Sequence, residues 1–107
     1  MKTITREDWA AALRSGRFKQ GVGVLYNVSD DTYCCLGVAC EIAELPHDSI
    51  DFGWKSGPMG YIPQVIADML GIPHHFDQRA FVIVNDIDKL TFSQIADMID
   101  ALPETAK

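Results

Sequence analysis

The chain contains 107 residues, of which 48% are hydrophobic, 9% aromatic and 22% charged, a balance typical of a globular protein. This balance excludes a disordered, collagen-like or coiled-coil chain, and no apolar run is long enough to span a membrane. Fifteen acidic residues against nine basic ones give a net charge of −6, which argues against general nucleic-acid binding because such affinity comes from neutralised phosphates. A local basic pocket is compatible with this charge.

The first and last predicted helices carry the clearest start signals. Thr5 is the predicted N-cap of the first helix with Asp8 as its capping-box partner, and Gly16 supplies a left-handed stop. Thr91 and Gln94 form the same kind of box before a helical apolar stripe. We therefore expect two well-defined amphipathic helices, one near each end of the chain.

Between these helices the pattern predicts a small β-element and a buried helix. Residues 21–28 are β-prone and are followed by a turn cluster, so a short strand there and a second one at 32–33 are predicted. The run at 34–45 is apolar on most sides, which is typical of a buried central helix. Gly37 within this run permits the close approach of another backbone or of a ligand.

The second half of the chain adds one further predicted helix and one ambiguous run. The helix begins with Pro63 and is ended by Gly71, and it follows a long irregular segment at 47–61. The apolar run at 80–84 fits a buried strand or a helical turn, since periodicity cannot decide at this length. The prediction is a single domain over residues 1–107, of the α+β class and mainly helical. Four main helices surround a buried central helix, with a small β-hairpin element.

Four blocks of residues, spread over most of the chain, form a distinctive pattern. They are Trp9 with Ala12, Leu13, Ser15, Gly16, Phe18 and Gln20; Tyr33-Cys34-Cys35-Leu36-Gly37-Val38 with Cys40; Ile62-Pro63 with Ile66, Leu70, Gly71 and Ile72; and Asn85-Asp86 with Phe92, Ile95, Ala96 and Asp97. In this order the blocks resemble a family of small bacteriophage and prophage proteins to which no activity is assigned. The resemblance implies a host-takeover or counter-defence role, and residues 47–60 and 74–80 fall outside it.

The cysteines at 34, 35 and 40 are expected to be reduced thiols, because no export signal precedes them. Cys34 and Cys35 lie at the predicted start of the central helix, where the helix dipole would lower a thiol pKa. With a downstream histidine and Asn85 or Asp86 they match the layout of a cysteine-dependent hydrolase. The other interpretation is that both are small buried core residues. No cysteine or histidine pair has zinc-ligand spacing, so no metal site is expected.

Three cations within six residues follow the first helix. Arg14, Arg17 and Lys19 indicate a local anion site, to which Gln20 would add an amide, although cations at a helix C-terminus are also favoured for structural reasons.

The glycine-rich segment at 53–60 is the second candidate binding feature. Its glycines expose backbone N–H groups, Lys55 adds a charge, and Trp54 offers a face for stacking, as Tyr33 also does. An ordinary surface loop is the alternative interpretation. The Asn85-Asp86 pair would read the donors of a ligand or simply form a structural turn.

These features favour a cytoplasmic binding protein over an enzyme, without a cofactor, acting in the host bacterium. The hypothesis is that it sequesters a nucleotide-like signalling molecule. The predicted ligand-binding residues are Arg14, Lys19, Gln20, Tyr33, Trp54, Lys55, Asn85 and Asp86. The alternatives are an acidic module that inhibits a host protein and a hydrolase with a reactive thiol at Cys34 or Cys35. Contact with a membrane is not expected, and a homodimer is compatible with the sequence.

Overall fold

The structure, a computed structural model, describes residues 2–23, 25–27, 29–45, 62, 64–72 and 75–102, without the side chains of 75–77. Within these residues lie five helices: α1 (Arg6–Arg14), α2 (Cys35–Ile42), α3 (Gln64–Leu70), α4 (His75–Asp86) and α5 (Phe92–Asp100). Two short strands, β1 (Tyr26–Asn27) and β2 (Thr32–Tyr33), pair antiparallel. Tyr26 lies opposite Tyr33 in this hairpin. The fold is thus of the predicted α+β class, mainly helical with a small hairpin.

Helices α1 and α5 both begin with the predicted capping boxes. The Asp8 backbone N–H donates to Thr5 Oγ1 at 3.1 Å, and the Thr5 N–H donates to the Asp8 carboxylate at 2.9 Å. Thr91 and Gln94 make the equivalent pair of bonds. Gly16 follows α1 with a φ of 75°, the left-handed conformation that glycine adopts without strain. Both starts were predictable because each depends on residues three positions apart.

Helix α2 occupies the centre of the core, as predicted. Its residues from Cys35 to Cys40 are all buried, and it packs against α1, α4 and β2. A Cβ at Gly37 would lie 2.7 Å from the carbonyl carbon of Leu25 and closer still to its oxygen. The close approach predicted at Gly37 is therefore that of a backbone, the segment that leads into β1.

The ambiguous apolar run at 80–84 belongs to helix α4. The buried face of α4 carries Gln78, Phe81 and Asn85, which recur at helical spacing. The Phe81 ring packs against Trp9 with centroids 5.1 Å apart, while Ile83 is exposed. Apolar periodicity missed this helix because two of the three residues on its buried face are polar.

Side-chain and core contacts hold the helices together. Arg6 donates from Nε to the Leu70 carbonyl at 2.7 Å and from Nη2 to the Gly71 carbonyl at 3.1 Å, so α1 satisfies the carbonyl groups at the end of α3. Helix α1 packs chiefly against α5, and buried side chains from all five helices share one core. Among the described residues, no helix combines the length and the apolarity needed to cross a bilayer.

Candidate functional site

Asn85 lies in the last turn of helix α4 and is fully buried, and it makes four hydrogen bonds. Its Oδ1 accepts from Gln20 Nε2 at 2.9 Å and from the Cys35 backbone N–H at 3.3 Å. Its Nδ2 donates to the Gly21 carbonyl and to the Asp86 carboxylate, both at 2.8 Å. An asparagine side chain offers two acceptor and two donor positions, so every one of them is occupied by protein.

Gln20 completes this arrangement, which we call the amide joint (Gln20 and Asn85 with their partners). The second hydrogen of the Gln20 amide nitrogen is donated to the Leu90 carbonyl at 2.7 Å. Asn85 also caps the first N–H of α2, which the N-cap residue Cys34 leaves without a side-chain bond. The joint therefore ties the end of α4 to the start of α2 and to the segment before β1. All four positions of Asn85 and both N–H groups of the Gln20 amide are used within the protein, so these groups act as structural links and the prediction that Asn85 reads a ligand is not supported.

Lys19 and Tyr33, also predicted site residues, lie next to the joint. The Tyr33 N–H donates to the Lys19 carbonyl at 2.9 Å, within a parallel bridge that pairs this segment with β2. The Tyr33 ring packs between Phe18 and Tyr26, with centroid distances of 5.3 and 4.8 Å. Burial and the nearby Glu41 carboxylate raise the pKa of Tyr33 to about 12. Tyr33 is thus a buried residue packed against two aromatic rings, whereas the Lys19 side chain is exposed.

The three thiols are buried and free. Burial raises the pKa of Cys34 to about 11 and that of Cys35 well above its ordinary value, and the charge of Asp86 adds to both shifts. The pKa of Cys40 is raised by burial as well. The expected lowering by the helix N-terminus is therefore wrong, because desolvation of a thiolate outweighs the favourable helix dipole here. The arrangement matches the structural interpretation of Cys34 and Cys35.

Arg14 forms ion pairs with helix α5 and not with the amide joint. Its guanidinium lies 2.7 Å from an Asp97 carboxylate oxygen and 2.6 Å from one of Asp100, joining α1 to α5. The two hydrogen-bonded carboxylates raise the pKa of Arg14. No hydrogen bond or ion pair links Arg14 to the amide joint within the described segments. The structure therefore brings Lys19, Gln20, Tyr33, Asn85 and Asp86 together and leaves Arg14 outside. Trp54 and Lys55 lie beyond the residues that it describes.

A cleft of about 290 Å³ opens on another face of α1. We call it the cation cleft; its lining residues are Lys2, Ile4, Asp8, Ala11, Ala12, Ser15, Arg17 and Ile42. The Lys2 N–H donates to the Ala43 carbonyl at 2.6 Å, which places the extended N-terminal segment beside the end of α2. The cleft is therefore built from three stretches of chain that meet only in the folded protein.

The floor of the cation cleft follows from the sequence of α1. Asp8, Ala11, Ala12 and Ser15 recur at positions i, i+3, i+4 and i+7 and so share one face of the helix. Alanine and serine side chains are short, which leaves open space between the N-terminal segment and Arg17. The cleft exists because small residues occupy a helix face that larger ones would fill.

The charge of the cleft departs from that of the whole protein. The lining contains two cationic residues, Lys2 and Arg17, and one acidic residue, Asp8, so it carries an excess of one positive charge although the chain carries −6. The Arg17 guanidinium lies 5.2 Å from the centroid of the Phe18 ring, a cation–π geometry that positions it. In the described part of the chain neither Lys2 nor Arg17 forms an ion pair, so both charges are available to an anion.

Sequence reasoning identified Arg17 as part of a basic cluster but missed Lys2, Asp8 and Ile42. The run of small residues along α1 is a local signal for an open helix face. The approach of Lys2 to the end of α2 leaves no local signal, because it depends on the whole tertiary fold.

The described residues contain no group of three or more cysteine, histidine or acidic side chains arranged to hold a metal ion. No curated protein and no solved structure matches the chain. Residues 1–63 match a family model described as a domain of unknown function, DUF8296. These residues contain α1, the hairpin, α2 and the whole lining of the cation cleft. Since the match covers more than half of the sequence, the chain belongs to the DUF8296 family.

Proposed function

We propose that the protein binds a small nucleotide-like anion in the cation cleft and sequesters it from other receptors. The observation that carries this proposal is the convergence of Lys2 and Arg17, neither in an ion pair with a described residue, on one open cleft. Charge-assisted hydrogen bonds from ammonium and guanidinium groups are the strongest that a protein offers to phosphate. The anion site proposed here is the cation cleft and not the amide joint, and it retains Arg17 from the predicted basic cluster.

The apolar part of the lining supports an organic ligand. Ile4, Ala11, Ala12 and Ile42 form a surface on which the sugar or base of a nucleotide can lie while its phosphate meets the cations. A ligand that combines an anionic group with a flat or apolar body uses both parts of the cleft. A free inorganic anion contacts only the cationic part of the cleft.

Sequestration needs affinity without chemistry, which agrees with the buried cysteines. The thiols of Cys34, Cys35 and Cys40 are all protonated at neutral pH because burial raises the pKa of each. Together with the resemblance to phage proteins, this favours a counter-defence sponge that removes a nucleotide signal over a hydrolase that destroys one.

Calorimetric titration with nucleoside monophosphates at low ionic strength tests the proposal. We expect saturable binding that weakens as salt increases, since the attraction is electrostatic. The variant Arg17→Gln should weaken binding by about tenfold or more, the loss of one charge-assisted hydrogen bond. Arg79→Gln is the matched control, because Arg79 is exposed on α4 and does not line the cleft. Equal loss in both variants would contradict the assignment of the site.

A steric variant tests the same site without changing its charge. Ala11 is exposed and lines the cleft, so Ala11→Leu fills space there while keeping a good helix former. We expect it to abolish binding and to leave the thermal midpoint nearly unchanged. Ala80→Leu makes the same substitution at an exposed position of α4 and should leave binding intact. Retained binding in Ala11→Leu would remove the cleft as the site.

A second candidate function is the acidic interaction module, favoured by one surface feature. Ile83 and Ile87 lie one turn apart at the end of α4 with 36% and 72% of their surface exposed. Exposed apolar pairs beside the carboxylates of Asp86 and Asp88 fit a protein partner with an apolar and basic surface. If a host protein is the target, the double variant Ile83→Ser and Ile87→Ser should abolish its capture, and Arg17→Gln should not.

A further inference from the structure

Resting on the proposed function, we infer that the cation cleft selects a nucleoside monophosphate whose base presents an amino group to Asp8. The phosphate occupies the Arg17 end of the cleft, and the base occupies the end at which α1 begins. This inference names both the size class of the ligand and the residue that distinguishes one base from another.

The volume of the cleft sets the size class. At about 290 Å³ it lies near the lower limit of small-molecule sites, which range from about 300 to 1,000 Å³. One nucleotide with a single phosphate fits this space with part of its surface left exposed. A cyclic dinucleotide carries a second nucleoside and a second phosphate, for which the described lining provides neither volume nor further cations.

The length and polarity of the cleft set the orientation of the ligand. Asp8 and Ser15 are seven residues apart on one face of α1, which corresponds to about 10 Å along the helix. Arg17 follows two residues after Ser15, so the chain places Arg17 beyond the Ser15 end of this face and Asp8 at its other end. An extended nucleoside monophosphate likewise separates its phosphate from the polar edge of its base.

The Asp8 carboxylate has hydrogen-bonding capacity to spare. Its Oδ2 accepts from the Thr5 N–H in the capping box, and no described residue donates to its Oδ1. An ionised carboxylate only accepts hydrogen bonds, so it favours a ligand edge that carries a donor such as an exocyclic amino group. The capping box also holds this carboxylate in place, because it fixes one of the two oxygens.

Ser15 has a supporting part in the cleft. Its hydroxyl donates to the Ala12 carbonyl at 2.6 Å and accepts from the Arg17 N–H at 3.2 Å. The hydroxyl is therefore occupied by the protein and fixes the turn that carries Arg17. Base selection falls to Asp8, since it is the acidic residue in the lining.

The experiment compares adenosine 5′-monophosphate with purine riboside 5′-monophosphate, which lacks only the amino group. Calorimetry on the full chain should show adenosine 5′-monophosphate binding at least about tenfold more tightly. Asp8→Asn should bring the two affinities closer together, and Glu7→Gln should leave their ratio unchanged. Glu7 is the matched control because it is exposed in the same turn of α1 and lies outside the cleft. The ratio of affinities is unaffected by a general loss of stability.

Two further probes separate failure of the inference from failure of the proposed function. Tight binding of a cyclic dinucleotide, or equal affinity for the two purine monophosphates, overturns the inference while an anion-binding cleft still stands. Inorganic phosphate should bind more weakly than either monophosphate, and Asp8→Asn should not weaken its binding, because the substitution removes a negative charge from the lining. If no nucleotide binds at low salt, the proposed function and the inference both fail.

Discussion

The amide joint and the cation cleft both contain polar side chains, yet they use them in opposite ways. At the joint, Asn85 is fully buried and all four of its hydrogen-bonding positions are satisfied by protein groups. In the cleft, Lys2 and Arg17 lie at the surface without an ion pair among the described residues. The joint holds elements of the fold together, whereas the cleft has unused charge that can act on a ligand.

In this protein, residue type alone does not identify a binding site. Gln20 and Asn85 are suitable residues for reading a nucleotide base, and Gln20 directly precedes a glycine, Gly21. Asn85 is nonetheless saturated, as are both N–H groups of the Gln20 amide, so a ligand could use these groups only by breaking hydrogen bonds that hold the fold together. Spare hydrogen-bonding capacity, which only the tertiary structure shows, separates the two regions.

The largest expected effect comes from removing the centre of the joint. Asn85→Ala leaves the buried Cys35 N–H and the Gly21 carbonyl without their partner, and each orphaned group costs about 1–3 kcal/mol. We expect the free energy of unfolding to fall by about 3 kcal/mol, measured by urea denaturation. Arg17→Gln should change it by less than about 0.5 kcal/mol, as at other surface positions. A comparable loss in both variants would erase the distinction between joint and cleft.

A smaller effect is expected at alkaline pH, because the thiols lie beneath the joint. The pKa of Cys34 is about 11 in the folded protein and near 9.0 in an exposed thiol, so the folded state favours the neutral form. This contribution is complete below pH 9 and is lost as the pH rises to about 11. For Cys34 alone the expected loss of stability is about 2 kcal/mol at pH 11. The buried thiols of Cys35 and Cys40 act in the same direction.

Denaturation at a series of pH values measures this decline, and Cys34→Ala should make it shallower between pH 9 and 11. Iodoacetamide provides a second readout near neutral pH, where the folded protein should react far more slowly than the unfolded chain. Rapid labelling of Cys34 in the folded protein would contradict the structural interpretation and would reopen the hydrolase hypothesis.

The smallest effect is expected at Arg14, the predicted site residue that belongs to neither region. Its ion pairs with Asp97 and Asp100 are exposed, and such pairs contribute little because solvent screens them. Arg14→Gln should lower the thermal midpoint slightly at low salt and not at all at 1 M salt. Nucleotide affinity should be unaffected by it, and a loss of affinity as large as that in Arg17→Gln would place Arg14 in the site.

The sequence predicted those parts of the fold that depend on neighbouring residues. The capping boxes at Thr5 and Thr91 and the close contact at Gly37 are local patterns with a direct physical meaning. The sequence left the choice between strand and helix open at α4, because Gln78 and Asn85 occupy the buried face of this helix. A search for apolar periodicity expects hydrophobic residues at those positions. The buried polar residues of α4 are explained by hydrogen-bond partners that lie far away in the sequence.

The candidate site was predictable only in part, for a related reason. The sequence shows a cluster of cations around the end of α1, but it does not show which partner each cation contacts. Arg14 turns to α5 while Arg17 turns to the cleft, and the choice depends on the carboxylates at Asp97 and Asp100. A backbone hydrogen bond from the Lys2 N–H to the Ala43 carbonyl holds Lys2 beside the cleft, and no local sequence pattern predicts this bond.

The position of Asn85 has a consequence for where this domain can be divided. The family match ends at residue 63, yet the N-terminal N–H of α2 is capped from residue 85, and α1 packs against α5. A fragment cut at that boundary would expose the apolar face of α1 and leave the start of α2 uncapped. We therefore expect a fragment that ends at residue 63 to be less stable than the whole chain.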